Sequence, residues 1–335
     1  MKILLTGGLG YIGSHTAVEL IKAGHEVIIV DNLSNSERSV KDKIERITQQ
    51  EVIFYKADLR KEKAIRQIFE DNTVDAVIHF AGLKAVGESV SKPLEYYENN
   101  ICGTINLLKV MKDYNVNNLV FSSSATVYGA SNPMPLTEDC PTSATNPYGR
   151  TKLFIEEILK DYYNANKSMN IVILRYFNPV GAHDSGIIGE NPKGIPNNLM
   201  PFVAKVACGK LDELHVFGND YDTKDGTCIR DYIHICDLAE GHLAAVNKLN
   251  EKCGLKIYNL GTGTGYSVLD VVNTYNKVCE NKVKYAFAPR REGDVKECYA
   301  CPDKALQELG WQAKRNLYDM CLSSYTYEQN QAKRK

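Results

Sequence analysis

Short apolar runs alternate with longer segments of helical periodicity along the first half of the chain. The runs are rich in Val, Ile and Leu, which is typical of strands buried on both faces of a parallel sheet. They lie at residues 2–5, 25–30, 51–55, 74–80, 118–121 and 171–176. The intervening segments predict helices after residue 13 and at 37–50, 61–70, 93–114 and 147–166. Strands that alternate with helices in this way predict an α/β fold with a doubly wound parallel (Rossmann) sheet.

The pattern changes after residue 178. Residues 179–231 are rich in Gly, Pro, Asn and Asp, which predicts loops and short elements inserted at the strand ends, where such sheets bind ligands. One further strand at 257–260 and one further helix at 267–279 are predicted. We therefore expect a dinucleotide-binding domain over 1–178, to which residues 232–262 return, and a smaller α/β lobe over 179–335 that mainly binds the substrate.

A glycine-rich turn joins the first predicted strand to the first helix. Gly7, Gly10 and Gly13 have the spacing G-x-x-G-x-x-G. The first glycine permits a tight turn, the second lets backbone N–H groups approach a pyrophosphate, and the third lets the helix pack closely on its strand. The helix N-terminus adds partial positive charge for the phosphates. A purely structural turn is the alternative, and the strand–helix–strand context favours a dinucleotide site.

The second predicted strand is followed by an acidic residue, Asp31. A carboxylate at this position can accept hydrogen bonds from both hydroxyls of an adenosine ribose, and it would repel a 2′-phosphate. The first arginine downstream, Arg38, is seven residues away. We therefore predict a site for NAD rather than NADP, with a solvated turn residue as the alternative interpretation of Asp31.

A tyrosine and a lysine begin the predicted helix at 147–166. Tyr148 and Lys152 are four residues apart and share one helix face, which places the ammonium near the phenol. Lowering a tyrosine pKa from about 10 to about 7, where it can act as a base, requires about 4 kcal/mol of phenolate stabilisation, which a lysine and a cationic nicotinamide could supply. Ser124, after the fifth strand, is the hydroxyl that we expect opposite Tyr148. A solvated helix pair and a capping serine are the alternatives.

Composition and charge narrow the function classes. The chain has 335 residues and a formal net charge of -1, so no basic excess attracts nucleic acid or acidic lipid. No run of about 18 apolar residues could span a membrane, and the cytosol is the expected compartment. The ten cysteines are expected as free thiols there. Cys298 and Cys301 form a C-x-x-C pair, but no second pair or histidine set has metal-ligand spacing, so no metal site is predicted.

The glycine turn, Ser124 and the Tyr148-x-x-x-Lys152 pair together resemble the extended short-chain dehydrogenase/reductase superfamily. Longer stretches resemble its UDP-glucose 4-epimerase family over nearly the whole chain. These stretches are HFAGLKAVGES at 79–89, SSSATVYG at 122–129, RYFNPVGA at 175–182, GIPNNLMP at 194–201 and RDYIH at 230–234. The resemblance implies an isomerase that forms a homodimer through the helices near 93–114 and 147–166.

The reaction implied by the resemblance is the NAD-dependent interconversion of UDP-glucose and UDP-galactose. In such an enzyme Tyr148 would remove the proton of the sugar 4-hydroxyl while C4 gives a hydride to NAD, and Ser124 would bridge the 4-oxygen. The resulting 4-keto sugar would swing about its diphosphate linkage, present its other face and recover the hydride. Because the cofactor is regenerated in each cycle, it should stay bound, and the nucleotide should supply most of the substrate affinity.

The cofactor-binding residues implied by the resemblance follow the strand ends of the first domain. Asp58 and Leu59 would border the adenine, Lys152 would also hold the nicotinamide ribose, and Phe177 would contact the nicotinamide region. The full set is Gly7, Gly10, Tyr11, Ile12, Gly13, Asp31, Asn32, Leu33, Ser34, Asn35, Ser36, Asp58, Leu59, Phe80, Ala81, Gly82, Leu83, Lys84, Asn99, Ser124, Tyr148, Lys152 and Phe177.

The substrate-binding residues implied by the resemblance lie mostly in the second lobe. Arg230 and Arg291 would neutralise the diphosphate, which suits the guanidinium fork, and Asp294 would accept from the uridine ribose hydroxyls. A surface ion pair is the alternative for the two arginines. The full set is Lys84, Ser124, Tyr148, Asn178, Asn198, Leu199, His215, Val216, Phe217, Arg230, Arg291, Asp294 and Cys298.

One position bears on the range of substrates. In the family a bulky tyrosine at the place that matches Cys298 forms a wall of the sugar pocket, whereas a small residue leaves room for a 2-acetamido group. Cys298 follows Asp294 by four residues. The resemblance therefore implies UDP-GlcNAc and UDP-GalNAc as additional substrates.

Three other functions share parts of this pattern. Another NAD-dependent sugar-nucleotide epimerase would have the same fold and Tyr/Lys pair. A sugar-nucleotide 4,6-dehydratase would carry Asp-Glu just after the strand-five hydroxyl, where this chain has Ala125 and Thr126. A non-catalytic dinucleotide-sensing protein would typically lack the Tyr/Lys pair, which this chain keeps.

Overall fold

The structure, a computed structural model, describes residues 1–332 apart from 193, 195, 197 and 292. Ile195 and Asn197, which belong to the GIPNNLMP segment, lie outside the described residues. The strands are β1 (Lys2–Thr6), β2 (Glu26–Asp31), β3 (Ile53–Lys56), β4 (Ala76–His79), β5 (Asn118–Ser122), β6 (Asn170–Tyr176), β7 (Asn178–Val180), β8 (Leu214–Phe217), β9 (Ile229–His234), β10 (Leu255–Leu260), β11 (Gly265–Ser267), β12 (Tyr285–Ala288) and β13 (Glu297–Cys298).

The α-helices flank these strands in sequence and in space. They are α1 (Tyr11–Lys22), α2 (Ser39–Thr48), α3 (Glu62–Asp71), α4 (Val86–Ser91), α5 (Pro93–Tyr97), α6 (Gly103–Asp113), α7 (Pro147–Ala165), α8 (Leu199–Ala207), α9 (Ile235–Leu249), α10 (Val268–Val278), α11 (Asp303–Leu309) and α12 (Leu317–Ala332). A π-helical turn spans Glu98–Cys102, and a 3-10 turn spans Ala125–Tyr128.

The main sheet of the described chain has seven parallel strands in the order β10-β6-β5-β4-β1-β2-β3. Because successive side chains of a strand point to opposite faces, β1 sends Ile3 and Leu5 into one core and Leu4 into another. Helices α1 and α9 cover the first face, and α3, α6 and α7 cover the second. The prediction of a doubly wound parallel sheet is confirmed. Because the strands are buried on both faces, their sequences are continuous apolar runs.

The helix predicted at 93–114 is confirmed, with a π-helical turn in its middle. Helix α5 ends at Tyr97, and the π-helical turn separates it from α6, which begins at Gly103. The turn buries the Asn100 side chain and directs its amide to Leu83. Such π-helical insertions are rare and occur often at functional sites.

The segments after β6 build a second lobe with a core of its own. In its larger sheet β9 pairs in parallel with β7 and β13 and antiparallel with β11. A second, two-stranded sheet joins β8 and β12 in parallel. Side chains of α8, α10 and α12 share the apolar core of the lobe. The chain then returns to the first sheet, because α9 packs against α1 and β10 pairs with β6.

Within the part of the chain that the structure describes, no helix has both the length and the apolar character that crossing a membrane would require.

Candidate active site

The glycine turn after β1 is tight at two of its three glycines. Gly7 has a left-handed backbone, with φ of 68°, and a Cβ at this position would lie 2.9 Å from the backbone of Ala81. A Cβ on Gly13 would lie 2.6 Å from the carbonyl oxygen of Gly7. Gly10 precedes the first residue of α1 and has no side chain with which to cap it. The first-turn N–H groups of α1 therefore face the strand ends as donors for an anion.

Asp31 connects the glycine turn to the loop after β2. Its buried carboxylate accepts hydrogen bonds from the backbone N–H of Leu9 at 3.2 Å, the N–H of Leu33 at 2.9 Å and the hydroxyl of Ser36 at 2.7 Å. A carboxylate offers about four acceptor positions, so one further donor can be accommodated. The carboxylate fits a ribose hydroxyl and disfavours a phosphate in the same place.

A second acidic residue lies beside this loop, at the end of β3. Asp58 accepts from the Asn32 amide at 3.3 Å and forms an ion pair with Arg60 at 2.7 Å. The hydrogen bond from Arg60 lowers the pKa of Asp58 to about 2, so this carboxylate stays charged. The residues predicted to border the adenine thus lie next to those predicted to hold the ribose.

Asn100 holds the loop after β4 against α7. Its side-chain oxygen accepts from the N–H of Leu83 at 2.8 Å, and its NH₂ group donates to the Leu83 carbonyl at 3.1 Å and to Thr151 at 2.9 Å. The neighbouring Asn99, which the sequence predicted for the cofactor, donates to Asn100 at 2.9 Å. Asn100 was missed by the sequence analysis, although a polar residue within an apolar helical pattern could have signalled it.

A buried histidine joins the ends of β1 and β4 to α6. His79 Nδ1 lies 2.7 Å from the Thr6 hydroxyl, and its Nε2 lies 2.8 Å from the Thr104 hydroxyl. Thr104 donates its own proton to the Asn100 carbonyl, so His79 Nε2 must be the donor and Nδ1 the acceptor. Burial lowers the pKa of His79 to about 3, which keeps it neutral.

Tyr148 lies in the first turn of α7, where Asn146 caps the helix by accepting from the N–H of Gly149 at 2.8 Å. Its buried phenol interacts with the hydroxyls of Ser124 and Tyr176. Burial raises the pKa of Tyr148, and the two hydroxyl contacts lower it in part. Ser124 begins the 3-10 turn after β5 and accepts from the N–H and hydroxyl of Thr126 at 3.2 and 3.0 Å. Tyr176, at the end of β6, is a second residue that the sequence analysis missed.

Lys152 lies one turn further along α7 and is also buried. Its ammonium donates to the carbonyl of Ser122 at 2.6 Å and lies 4.9 Å from the centre of the Phe121 ring. Burial lowers the pKa of Lys152 to about 8, and Glu156 acts in the opposite direction. The stabilisation of the Tyr148 phenolate by this ammonium stays a prediction. The shared helix face is as expected, but the side chain reaches the end of β5, and burial dominates the pKa of Tyr148.

Three predicted substrate residues of the second lobe converge on one another. The Asp294 carboxylate lies 3.7 Å from Arg230 and 4.0 Å from Arg291. The Arg291 guanidinium also lies 4.3 Å from the centre of the Phe217 ring. Two cations therefore share one carboxylate, and the cluster keeps a net positive charge that suits an anionic ligand.

The two lobes meet at a partly buried glutamate that was not among the predicted residues. Glu190 lies 3.3 Å from the ammonium of Lys84, which belongs to the first sheet's loops, and accepts from the Asn198 amide at 3.0 Å. Leu199 follows directly as the first residue of α8. Lys84 and Asn198, predicted for the cofactor and the substrate, are thus brought to one point from different lobes.

The remaining predicted substrate residues follow the strands of the second lobe. Asn178 donates to the carbonyl of Asp231 at 3.0 Å. In β8 the His215 side chain is exposed, whereas Val216 points into the core, so Val216 could contact a ligand only through its backbone. Cys298 pairs with Arg230 across β13 and β9 and packs on an apolar cluster that contains Phe177.

The chain is similar to known proteins over nearly its whole length. Residues 4–323 match the family model described as GDP-mannose 4,6 dehydratase. The chain is 56% identical over 328 residues to a UDP-glucose 4-epimerase of Bacillus subtilis, covering 98% of this chain and 97% of the relative. A UDP-glucose 4-epimerase from Bifidobacterium longum, solved with NAD+ and UDP, superposes with a TM-score of 0.96 at 53% identity and 99% coverage of both chains. A second UDP-glucose-4-epimerase, from Stenotrophomonas maltophila with bound NAD and formylated UDP-arabinopyranose, superposes with a TM-score of 0.98 at 46% identity and 100% coverage of both chains.

Proposed function

The chain belongs to the UDP-glucose 4-epimerase family, and from this premise we propose that it interconverts UDP-glucose and UDP-galactose with the help of NAD. The observation that carries the proposal is the convergence of Ser124, Tyr148 and Lys152 at the end of β5, on the same sheet edge as the glycine turn after β1. A proton-transferring phenol beside a dinucleotide turn is the arrangement that oxidation of an alcohol carbon requires.

The residues of the first sheet fit NAD. The glycine turn and the start of α1 can hold a pyrophosphate, because the N-cap residue Gly10 leaves the first N–H groups of α1 without a side-chain cap. Asp31 retains an acceptor position for a ribose hydroxyl. When bound, NAD supplies the reversible acceptance of a hydride from the sugar C4. We assign this role to residues 1–178 together with 232–262, and UDP-sugar binding mainly to 179–335.

Ser124 and Tyr148 are the groups that we assign to proton transfer. Their hydroxyls lie close together, so a sugar 4-oxygen bound beside both would hydrogen-bond to Ser124 and, once Tyr148 is present as the phenolate, would give its proton to that phenolate. In the reverse direction Tyr148 returns the proton. Lys152 holds the end of β5 through the Ser122 carbonyl and is positioned to orient a ribose hydroxyl of the cofactor.

The nucleotide end of the substrate is assigned to the cationic cluster of the second lobe. Arg230 and Arg291 would bind the diphosphate, and Asp294, which they flank, would accept from ribose hydroxyls. Anchoring of this end lets the sugar present either face to the same phenol, which inversion at C4 demands. The remaining assigned contacts come from Asn178, Asn198, Leu199, the backbone of Val216 and its neighbours in β8.

The proposed function is tested by assaying purified protein for conversion of UDP-galactose to UDP-glucose without added NAD, with release of the bound dinucleotide by acid as a second measurement. We expect turnover and about one NAD per chain. A 4,6-dehydratase would instead yield a 4-keto-6-deoxy sugar, and a sensor protein would bind NAD without turnover. Ala125 and Thr126, which replace the acid and base of a dehydratase, favour the epimerase.

The substrate range is proposed to extend to UDP-GlcNAc and UDP-GalNAc. Cys298 packs on the cluster that contains Phe177, Ala125 and Leu153, so it lies on the side of the site where Ser124 and Lys152 are found. Its thiol stays neutral, because burial raises its pKa to about 11. A small apolar side chain at this place leaves space beside the sugar.

Replacement of Cys298 by Tyr should lower kcat/KM for UDP-GalNAc by about 10²-fold, because an aromatic ring would fill the space of the acetamido group. Activity on UDP-galactose should change less than about threefold, because galactose has no acetamido group and does not need this space. The matched control is Cys298→Ser, which keeps a small side chain and should keep both activities. Absence of turnover of UDP-GalNAc by the unaltered protein would refute the broader range.

A homodimer is proposed because α4, α5 and α7 expose neighbouring apolar side chains. Leu94 is 80% and Val90 64% exposed. Phe154, which is half-exposed, stacks on Tyr97 with ring centres 6.1 Å apart. Single exposed apolar residues are ordinary, but several on packed helices mark an interaction surface. A second copy of the chain would cover them by pairing of the same helices.

Replacement of Leu94 by Glu should convert the dimer to monomers, because the carboxylate would be buried without a partner at the centre of the contact. Sedimentation equilibrium of both proteins measures the change. Leu306→Glu is the matched control, since Leu306 is comparably apolar and 47% exposed on α11. A monomer for the unaltered chain at micromolar concentration would contradict the proposal.

A further inference from the structure

The buried face of α7 carries a third polar residue beyond Tyr148 and Lys152. Glu156 follows Lys152 by one turn, as Lys152 follows Tyr148, so the three share one face. The Glu156 side chain is fully buried, and so is its partner Arg175 on β6, at 0% and 2% exposure. A fully buried ion pair is costly to form and is weak evidence for a stabilising role. Its position next to the proposed catalytic groups therefore requires an explanation.

The Glu156 carboxylate is fully hydrogen-bonded. Arg175 donates through Nη2 at 2.7 Å and through Nε at 3.1 and 3.2 Å to the two oxygens. The hydroxyl of Ser123 donates to Oε1 at 2.5 Å. Arg175 in turn donates to the carbonyl of Glu138 at 3.1 Å, and its guanidinium lies 4.8 Å from the centre of the Tyr128 ring. The pair is thus held from β5, β6 and the 3-10 turn together.

Three consecutive serines connect the end of β5 to three turns of α7. The carbonyl of Ser122 accepts from Lys152, the hydroxyl of Ser123 donates to Glu156, and the hydroxyl of Ser124 contacts Tyr148. The middle link involves neither the sugar nor the dinucleotide. It determines the distance between the strand that carries Ser124 and the helix that carries Tyr148.

Among the groups around Lys152, Glu156 supplies the negative charge that opposes the effect of burial on the pKa of Lys152. The histidines that face the ammonium from other elements are His79 of β4 and His242 of α9, and burial keeps both neutral, with pKa values of about 3 and 4. Phe121 of β5 presents a ring. Burial lowers the pKa of Lys152, and the only titratable neighbour on its own helix face that opposes this is Glu156.

We propose that Glu156 is a positioning residue of the epimerase site, which holds Lys152 and Ser124 in register through Ser123 and Arg175 and keeps Lys152 a cation. The proposal rests on the proposed function in that Lys152 and Tyr148 are taken as the working pair. It assigns the buried ion pair to the proton chemistry of the site rather than to stability alone.

The test replaces Glu156 by Gln, which keeps the shape and removes the charge. We assign the alkaline limb of the kcat–pH profile to loss of the Lys152 proton, and this limb should move to lower pH because the negative charge that raises the pKa of Lys152 is removed. The KM for UDP-galactose should change little, since the nucleotide binds in the other lobe. Glu157→Gln is the matched control, because Glu157 is the exposed neighbour that pairs with Lys160, and it should leave the profile unchanged.

Two further variants separate charge from structure. Ser123→Ala keeps the carboxylate but breaks the middle link, so kcat should fall about tenfold while the alkaline limb stays in place. Glu156→Gln combined with Arg175→Gln leaves a neutral pair and no unpaired buried cation, so it should fold even where the single variant does not. Its alkaline limb should remain shifted. If the limb returns to that of the parent protein, Glu156 serves only to balance Arg175, and the proposal is overturned.

A measurement without turnover separates this proposal from the proposed function. Lysine labelled with ¹³C at Cε reports its own titration by NMR, and Lys152→Met identifies the signal. We expect the midpoint for Lys152 to fall in Glu156→Gln and not in Glu157→Gln. An unchanged midpoint in a folded Glu156→Gln protein would overturn the inference even if epimerase activity is found. A shifted midpoint in a protein without epimerase activity would support it while the proposed function fails.

Discussion

Replacement of Tyr148 by Phe should lower kcat for UDP-galactose by about 10²–10⁴-fold, which is the usual contribution of a positioned acid or base. The variant removes a hydroxyl that lies near those of Ser124 and Tyr176. Phe has the same ring, so the packing of α7 against β5 is kept. The amount of bound NAD, measured after acid release, should stay at about one per chain.

A tyrosine of the same helix supplies the control. The buried hydroxyl of Tyr162 has no hydrogen-bond partner among the residues that the structure describes, so Tyr162→Phe removes an oxygen without breaking a contact. It should keep both turnover and NAD. Near-normal turnover in Tyr148→Phe would exclude Tyr148 as the proton-transferring group and would direct attention to Tyr176.

Replacement of Gly13 by Ala should release the dinucleotide and destabilise the first sheet. The new Cβ would lie 2.6 Å from the carbonyl oxygen of Gly7 and 2.7 Å from Cα of Gly8, both of them backbone atoms that no rotamer change can move. Helix α1 must therefore shift away from the glycine turn. Forced insertion of a methyl group into packed structure costs about 1–3 kcal/mol, and a displaced helix N-terminus no longer aims its N–H groups at the pyrophosphate.

Thermal unfolding and the NAD content of the purified variant measure these two effects separately. Gly87→Ala is the matched control, since a Cβ on Gly87 would meet no atom within 4 Å and its backbone is not left-handed. It should keep the NAD content and the unfolding temperature. Full NAD occupancy together with an unchanged unfolding temperature in Gly13→Ala would show that close packing of α1 on the turn is not required.

The sheet of the first domain could be predicted because its signal is local. Each strand of β1 to β6 is an apolar run between helical segments, and burial on both faces is what makes such a run continuous. Helices α4, α8, α9, α11 and α12 were not predicted. The π-helical turn between α5 and α6 was also missed, because it leaves the apolar period nearly intact and is stabilised by the contacts of Asn100 with Leu83 and Thr151.

The catalytic groups of the candidate site could be predicted from local sequence features, whereas its residues in the second lobe could not. Spacing alone placed Tyr148 and Lys152 on one helix face, the place of Ser124 after the fifth strand indicated its hydroxyl, and the resemblance supplied the residues of the second lobe. Glu190 and Tyr176 were missed, because each acts through a partner far away in the chain: Glu190 contacts Lys84, and Tyr176 contacts Tyr148. The assignment of the predicted site residues to cofactor and substrate stays a prediction.

The amino-acid sequence by itself determined the alternation of strands and helices, the glycine turn and the four-residue spacing of Tyr148 and Lys152, because periodicity and spacing depend only on neighbours along the chain. Only the tertiary structure decided where the Lys152 ammonium goes, which charges surround it and that Glu156 and Arg175 are buried as a pair. Burial and distance between residues remote in sequence set these properties, and no local pattern contains them.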